Sequence, residues 1–102
     1  LERFTEKAID IIKSIPSGKV MTYGQIAAYA GSPRGARQVV RILHSMSSKH
    51  DLPWHRVINS KGEIGFKEKG QYNYQQHLLQ SEGVLLNDKG KVDLGRYRHH
   101  LL

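Results

Sequence analysis

Between Thr22 and His44 the chain holds two short amphipathic stretches separated by Gly31-Ser32-Pro33, and this arrangement narrows the possible folds most. Thr22 and Gln25 have the spacing of a capping box, in which hydroxyl and amide each meet an otherwise orphan backbone N–H. Ile26, Ala27, Ala28 and Ala30 then make a compact helix whose small side chains let a neighbour approach closely. Gly31 suits the position after a helix end, which favours positive φ. Ser32 as N-cap and Pro33 at the first helical position predict that a second helix begins at once. Two helices joined by so short a glycine-containing turn read as a helix-turn-helix.

Arg34, Arg37, Arg41 and His44 recur at spacings of three, four and three, a stripe along one face of that second helix. Ala36, Val39, Val40 and Leu43 are expected to fill a different, apolar face. No acid interrupts the stripe, since none occurs between Asp10 and Asp51. A helix face of one sign repels itself unless it meets an anion, so a phosphate partner is favoured over an ordinary solvated face. The charge of the whole chain agrees: 16 Lys and Arg against 9 Asp and Glu give 16 − 9 = +7 over 102 residues, a balance suited to nucleic acid.

Around this unit the sequence predicts a single domain over 1–102. Phe4, Ala8, Ile11, Ile12 and Ile15 form a helical stripe closed by Pro16-Ser17-Gly18, a scaffold helix without chemistry. Ser45 to Leu52 reads as a polar loop. Val57 to Ile64 reads as a hairpin around Ser60-Lys61-Gly62, and Phe66 to Gly70 as a charged loop. Tyr72, Tyr74, Leu78 and Leu79 support a last helix, with Gly83 at its C′ position and Val84 folding back on Leu79. Val84 to Leu94 reads as a second hairpin, and 96–102 as a loose basic tail. The absence of cysteine excludes disulfides, thiolate metal sites and thiol nucleophiles, and fits an intracellular protein. No apolar run approaches the ~20 residues of a membrane span, and nothing reads as a signal peptide. The histidines, including His77 and the pair His99-His100, lack a third ligand for a metal, so neither metal nor cofactor is expected.

One stretch carries more than scaffold. Pro53-Trp54-His55-Arg56-Val57 places an aromatic, an imidazole and a guanidinium where a loop enters a strand. It resembles the Pro-Cys-His-Arg-Val signature of the O6-alkylguanine-DNA alkyltransferases, with Trp54 where that family has its cysteine. Pro-Trp-His-Arg-Val resembles the alkyltransferase-like proteins, which bind alkylated DNA without repairing it. Thr22-Tyr23-Gly24-Gln25-Ile26-Ala27 and Ala30 to Arg37 resemble the same family's helix-turn-helix, and Glu82-Gly83 its Glu-Gly.

The resemblance spans Phe4 to about Val84 and implies a mainly α, winged-helix-type domain with short β-hairpins, like the alkyltransferase C-terminal domain. It implies a monomer that docks its recognition helix in the minor groove of duplex DNA and flips an O6-alkylguanine out of the stack. By this likeness Tyr23, Trp54, Val57 and Lys67 form the lesion pocket, with main-chain carbonyls of Trp54 and Val57 reading the guanine edge. Arg37 takes the place of the extruded base, while Thr22, Arg34 and Arg41 contact the DNA backbone. His55 and Glu82 stand where the family has its base and orienter, the glutamate acting through a water. The loop after Phe66 departs from the alkyltransferase pattern, lacking its Tyr-Ser-Gly run, so those contacts do not carry over.

Indole is no nucleophile, so alkyl transfer is not expected and His55 with Glu82 reads as structural support of the pocket. An aromatic wall is worth about 1–3 kcal/mol per base, close to the few kcal/mol that flipping costs. Damaged, poorly paired guanine should therefore be favoured. The implied role is to mark the lesion for nucleotide excision repair proteins, in the nucleoid of a bacterium or the nucleus of a eukaryote. Two alternatives remain open at the level of sequence: a sequence-specific helix-turn-helix regulator, and a hydrolytic enzyme acting on the lesion through water activated by His55 and Glu82.

Overall fold

A computed structural model describes residues 2–101. The first helix, α1 (Arg3–Lys13), buries Ala8, Ile11 and Ile12 of the predicted stripe together with Ile9, and Ile15 is buried just beyond its end. A two-residue strand, β1 (Met21–Thr22), leads into α2 (Tyr23–Tyr29). Both halves of the capping box form: Gln25 N–H donates to Thr22 Oγ1 at 3.0 Å, and Thr22 N–H to Gln25 Oε1 at 3.3 Å. Gly31 has φ of 102°, and Ser32 N–H reaches back to the Ala27 carbonyl at 2.9 Å. This is the six-to-one closure of a Schellman end.

The next helix, α3 (Ala36–His50), differs from expectation at both ends. Ser32 and Pro33 do not begin it. They open a tight turn in which Gly35 N–H donates to the Ser32 carbonyl at 2.8 Å. Ser, Pro and Gly are the residues that a type I turn favours at its first, second and fourth positions, and here that preference outweighs the helix-start reading. A methyl on Gly35 would lie 3.0 Å from the Phe4 ring, so the turn sits tightly on α1. Arg34 therefore belongs to the turn and not to the helical stripe. At the other end, 45–50 is helix rather than loop. Ser45 and Ser47 turn their hydroxyls back onto the Arg41 and Leu43 carbonyls, which hides their polarity within the helix. Met46 packs on the core, and Asp51, at φ of 52°, ends the helix in the left-handed region.

A 3-10 turn (Trp54–Arg56) follows, then β2 (Val57–Ile58), which pairs in parallel with β1 in the register Met21 to Val57 and Thr22 to Ile58. The first hairpin is thus only a turn: Asn59 and Glu63 close it, while β2 spends its pairing on β1. Glu63 and Leu86 make single antiparallel bridges to Lys91 and Val92. Met21 and Val57 face one core with α1, α2 and α3; Val20 and Ile58 face a second with Ile64, Leu79, Val84, Val92 and Tyr97. Neighbouring residues of extended backbone point to opposite sides, which is how Val20 and Met21, and likewise Val57 and Ile58, divide between the two cores.

Helix α4 (Lys69–Ser81) ends as predicted, with Gly83 at φ of 87° and Val84 N–H on the Leu79 carbonyl at 2.9 Å. It is not the last helix, because Asp93 caps one further turn, α5 (Leu94–Tyr97). Nor is the tail loose as far as it is described. Tyr97 is buried, its carbonyl accepts from Val20 N–H at 2.9 Å, and His99 N–H donates to the Val20 carbonyl at 2.8 Å. Gln25 Nε2 donates to the His99 carbonyl at 2.6 Å, so the tail locks onto the capping box itself. Leu102 lies outside the described residues.

Candidate nucleic-acid interface

Pro53, at φ of −75°, delivers the chain into the 3-10 turn, and the parallel pairing of β2 with β1 brings this turn beside the start of α2. Trp54 consequently meets aromatic rings from two later segments. Its ring stands edge-on to Phe66 at 5.9 Å and 84°, and tilted against Tyr74 at 5.9 Å and 45°. With Tyr23, Val40 and Leu43 they wall a cavity of about 500 Å³. That volume falls within the range of small-molecule sites.

Tyr23 is largely buried, and burial pushes its hydroxyl pKa above the ordinary 10.0, so it stays neutral and can donate or accept. A methyl on Gly65 would lie 2.9 Å from the Tyr23 hydroxyl oxygen, so a side chain at 65 would require Tyr23 to shift. Val40 is 45 % exposed and lines the cavity from α3. It does not belong with Val39 in the core, as the sequence reading supposed. The cavity wall thus runs along α3, with His44 and Ser47 beside Val40 and Leu43. Arg37 and Arg41 are both exposed, and among the described residues the only ion pairs are those of Glu82.

Behind the turn, Glu82 takes up most of its acceptor capacity. Its Oε2 lies 2.8 Å from His55 Nε2 and accepts from Arg56 Nη2 at 2.7 Å; its Oε1 accepts from Arg56 Nε at 2.9 Å and Gly18 N–H at 3.2 Å. Arg56 Nη1 donates in addition to the Ile15 carbonyl at 2.9 Å, tying the turn to the segment that follows α1. Burial alone would raise the Glu82 carboxyl. The hydrogen bonds from Arg56, His55 and Gly18 and the attraction of His55 outweigh it, and hold the pKa down to about 2. Such a carboxylate is a poor proton acceptor. The His55 contact is direct, where the resemblance implied a water.

Three other expected site residues are placed differently from the pocket wall. Thr22 is 4 % exposed with its hydroxyl in the capping box, so it is a buried cap and not a surface contact. The Val57 side chain is buried in the core, and its carbonyl accepts from Gln75 Nε2 at 3.1 Å. Lys67 is exposed one residue beyond Phe66 and is not part of the cavity wall. Sequence reasoning missed Phe66, Tyr74 and Gly65 in the wall and Arg56 as the principal partner of Glu82. It also missed Gln75, although Gln75, Leu79 and Glu82 fall at i, i+4 and i+7, one inward face of a helix.

Known proteins place this geometry. Residues 3–84 match the model of the 6-O-methylguanine DNA methyltransferase DNA-binding domain. The chain is 42 % identical over 97 residues to the DNA base-flipping protein of Escherichia coli, covering 95 % of this chain and 74 % of that protein. It is 38 % identical over 102 residues to alkyltransferase-like protein 1 of Schizosaccharomyces pombe, covering 99 % and 92 %. The chain belongs to the alkyltransferase-like family. The fold agrees: S. pombe Atl1, solved in complex with damaged DNA containing O6-carboxymethylguanine, superposes with a TM-score of 0.82 at 36 % identity, over 98 % of this chain and 97 % of that one. In this alkyltransferase-like chain the 3-10 turn carries Trp54 and there is no cysteine anywhere, so the turn offers a flat apolar wall and no thiol.

Proposed function

We propose that this alkyltransferase-like protein binds duplex DNA containing O6-alkylguanine, rotates the lesion into the Trp54 cavity and leaves the alkyl group in place. The observation that carries this reading is the aromatic cavity of Trp54, Phe66 and Tyr74, whose wall continues onto α3 at Val40, Leu43 and His44, the helix that also carries the exposed Arg37 and Arg41. A cationic face recruits any duplex; a cavity at its edge selects the nucleotide that leaves the stack most readily. Arg37 fills the vacated space, Arg34 and Arg41 hold phosphates, and Tyr23 contacts the rotating nucleotide. The Trp54 and Val57 carbonyls each accept one internal N–H and have a second lone pair for the base edge, with Lys67 at the rim. Because Glu82 is held near pKa 2 by Arg56 and His55, it supports the turn rather than activating water. The bound, unrepaired lesion would then be handed by this monomer to excision-repair proteins inside the cell.

The test is a titration on matched duplexes carrying guanine or O6-methylguanine, the methyl group being isotopically labelled. Tighter binding to the lesion is expected, with all label left on the DNA. Equal affinity on both duplexes would overturn lesion recognition. Label transferred to protein or released as alcohol would overturn the non-enzymatic reading.

A further inference from the structure

The most unusual polar group in the molecule is the side chain of Gln75 on α4. It is 1 % exposed, and it sits on the cavity wall. Its Nε2 donates twice, to the His55 carbonyl at 3.0 Å and to the Val57 carbonyl at 3.1 Å. Its Oε1 is buried without any hydrogen-bond partner. A buried amide that leaves its oxygen unpaired is costly and uncommon, so something must fix it in this orientation. Turning the amide over would set the oxygen against two carbonyl oxygens and lose both donated bonds. The two bonds grip the middle residue of the 3-10 turn and the first residue of β2, which lie one and three residues after Trp54.

We infer that Gln75 is the positioning residue of the lesion pocket: by pinning the His55 and Val57 carbonyls to α4 it sets the tilt of Trp54 against Tyr74 and aims the Val57 carbonyl. The same helix carries Tyr74 next to Gln75 and leads to Glu82, which grips His55 and Arg56 from behind. Between them, Gln75 and Glu82 fix the turn through backbone and side chains respectively. Of the two side chains, only Gln75 holds the turn by its carbonyls. The inference rests on the lesion-binding function proposed above, but its first two readouts need no DNA.

Gln75→Met matches the side chain in length and has no donor; Gln75→Lys restores donors and has no acceptor. In Gln75→Met, the emission of Trp54, the only tryptophan, should shift from its wild-type position, and the preference for O6-methylguanine over guanine duplex should fall about tenfold while undamaged binding holds. Gln75→Lys should recover most of that preference and the wild-type emission. In the unsubstituted protein, the Gln75 side-chain amide protons should exchange slowly with solvent by nuclear magnetic resonance, a readout that survives if a variant fails to fold. Fast exchange of those protons, or unchanged emission and preference in Gln75→Met, would overturn the inference. Loss in Gln75→Lys equal to that in Gln75→Met would also overturn it, because the donors would then not be what matters. If the wild type itself showed no lesion preference, the proposed function would fall, while emission and exchange would still decide whether Gln75 holds the turn.

Discussion

The recognition turn and the outer face of α3 border the same cavity but are built on opposite principles. Around Trp54–Arg56, the side chains of His55 and Arg56 and the carbonyls of His55 and Val57 have internal partners, and Glu82 accepts from three residues. On α3, Arg37 and Arg41 stand exposed without an ion pair among the described residues. A surface held in one geometry discriminates, because a misfit ligand cannot be accommodated cheaply. A surface of unpaired cations attracts any phosphate chain, because nothing internal must be released first. Selection and attraction can therefore be varied separately, and substitutions at four positions test how separate they are.

The largest effect should come from breaking the turn's support. Glu82→Ala strands the partly buried Arg56 guanidinium and should cost about 2–4 kcal/mol of folding stability, read by urea denaturation. It should abolish lesion preference before it abolishes binding to undamaged duplex. If both are lost in proportion at a temperature where the variant is folded, the two regions are not independent. The same carboxylate sets a pH window. Its folded pKa of about 2 lies below the ordinary 4.5, so its stabilisation is complete above about pH 4.5 and drains away as pH falls toward 2. Glu82→Gln should flatten that part of the stability profile.

Trp54→Ala should come next. Losing one base–aromatic contact is expected to weaken binding to the O6-methylguanine duplex by about 1–3 kcal/mol while leaving undamaged duplex unchanged. Equal loss on both duplexes would make Trp54 part of the scaffold. The smallest effects belong to the arginines and sharpen the comparison most. Arg41→Ala should lower the log–log salt slope by about 0.9 on either duplex, with flipping recovered at saturation. Arg37→Ala should reduce flipping even at saturation, seen with a fluorescent base analogue opposite the lesion. Normal flipping by both variants would place Arg37 wholly with the attracting face.

Local rules made much of this legible before the fold was known. The Thr22–Gln25 box and the Gly31 and Gly83 helix ends depend on residues within a few positions, and all three form as their spacing predicts. Ser32-Pro33 misled because the pair opens turns as well as helices, and the deciding residue, Gly35, answers to Phe4 on another helix. Ser45 to His50 misled because helix-internal hydroxyl bonds make polar residues acceptable where composition reads as loop. The site divides the same way. His55 and Glu82 were legible through a resemblance, whereas the aromatic wall gathers Trp54, Phe66 and Tyr74 from three segments that nothing local connects. Gln75 left a periodic signal, but a glutamine on an inward face is easily passed over among charged and polar neighbours.

The amide of Gln25 joins two events far apart in time. Its oxygen closes the cap at Thr22, and its nitrogen holds the carbonyl of His99, 74 residues later. On the ribosome, chain is made and released in order, so Gln25 emerges long before His99 exists. Until then Val20 has no strand partner at Tyr97 and His99, and the start of α2, with Tyr23 as its first residue, is tied on one side only. The nascent chain can thus form α1 to α3 early but completes the mounting of Tyr23 only once His99 has emerged.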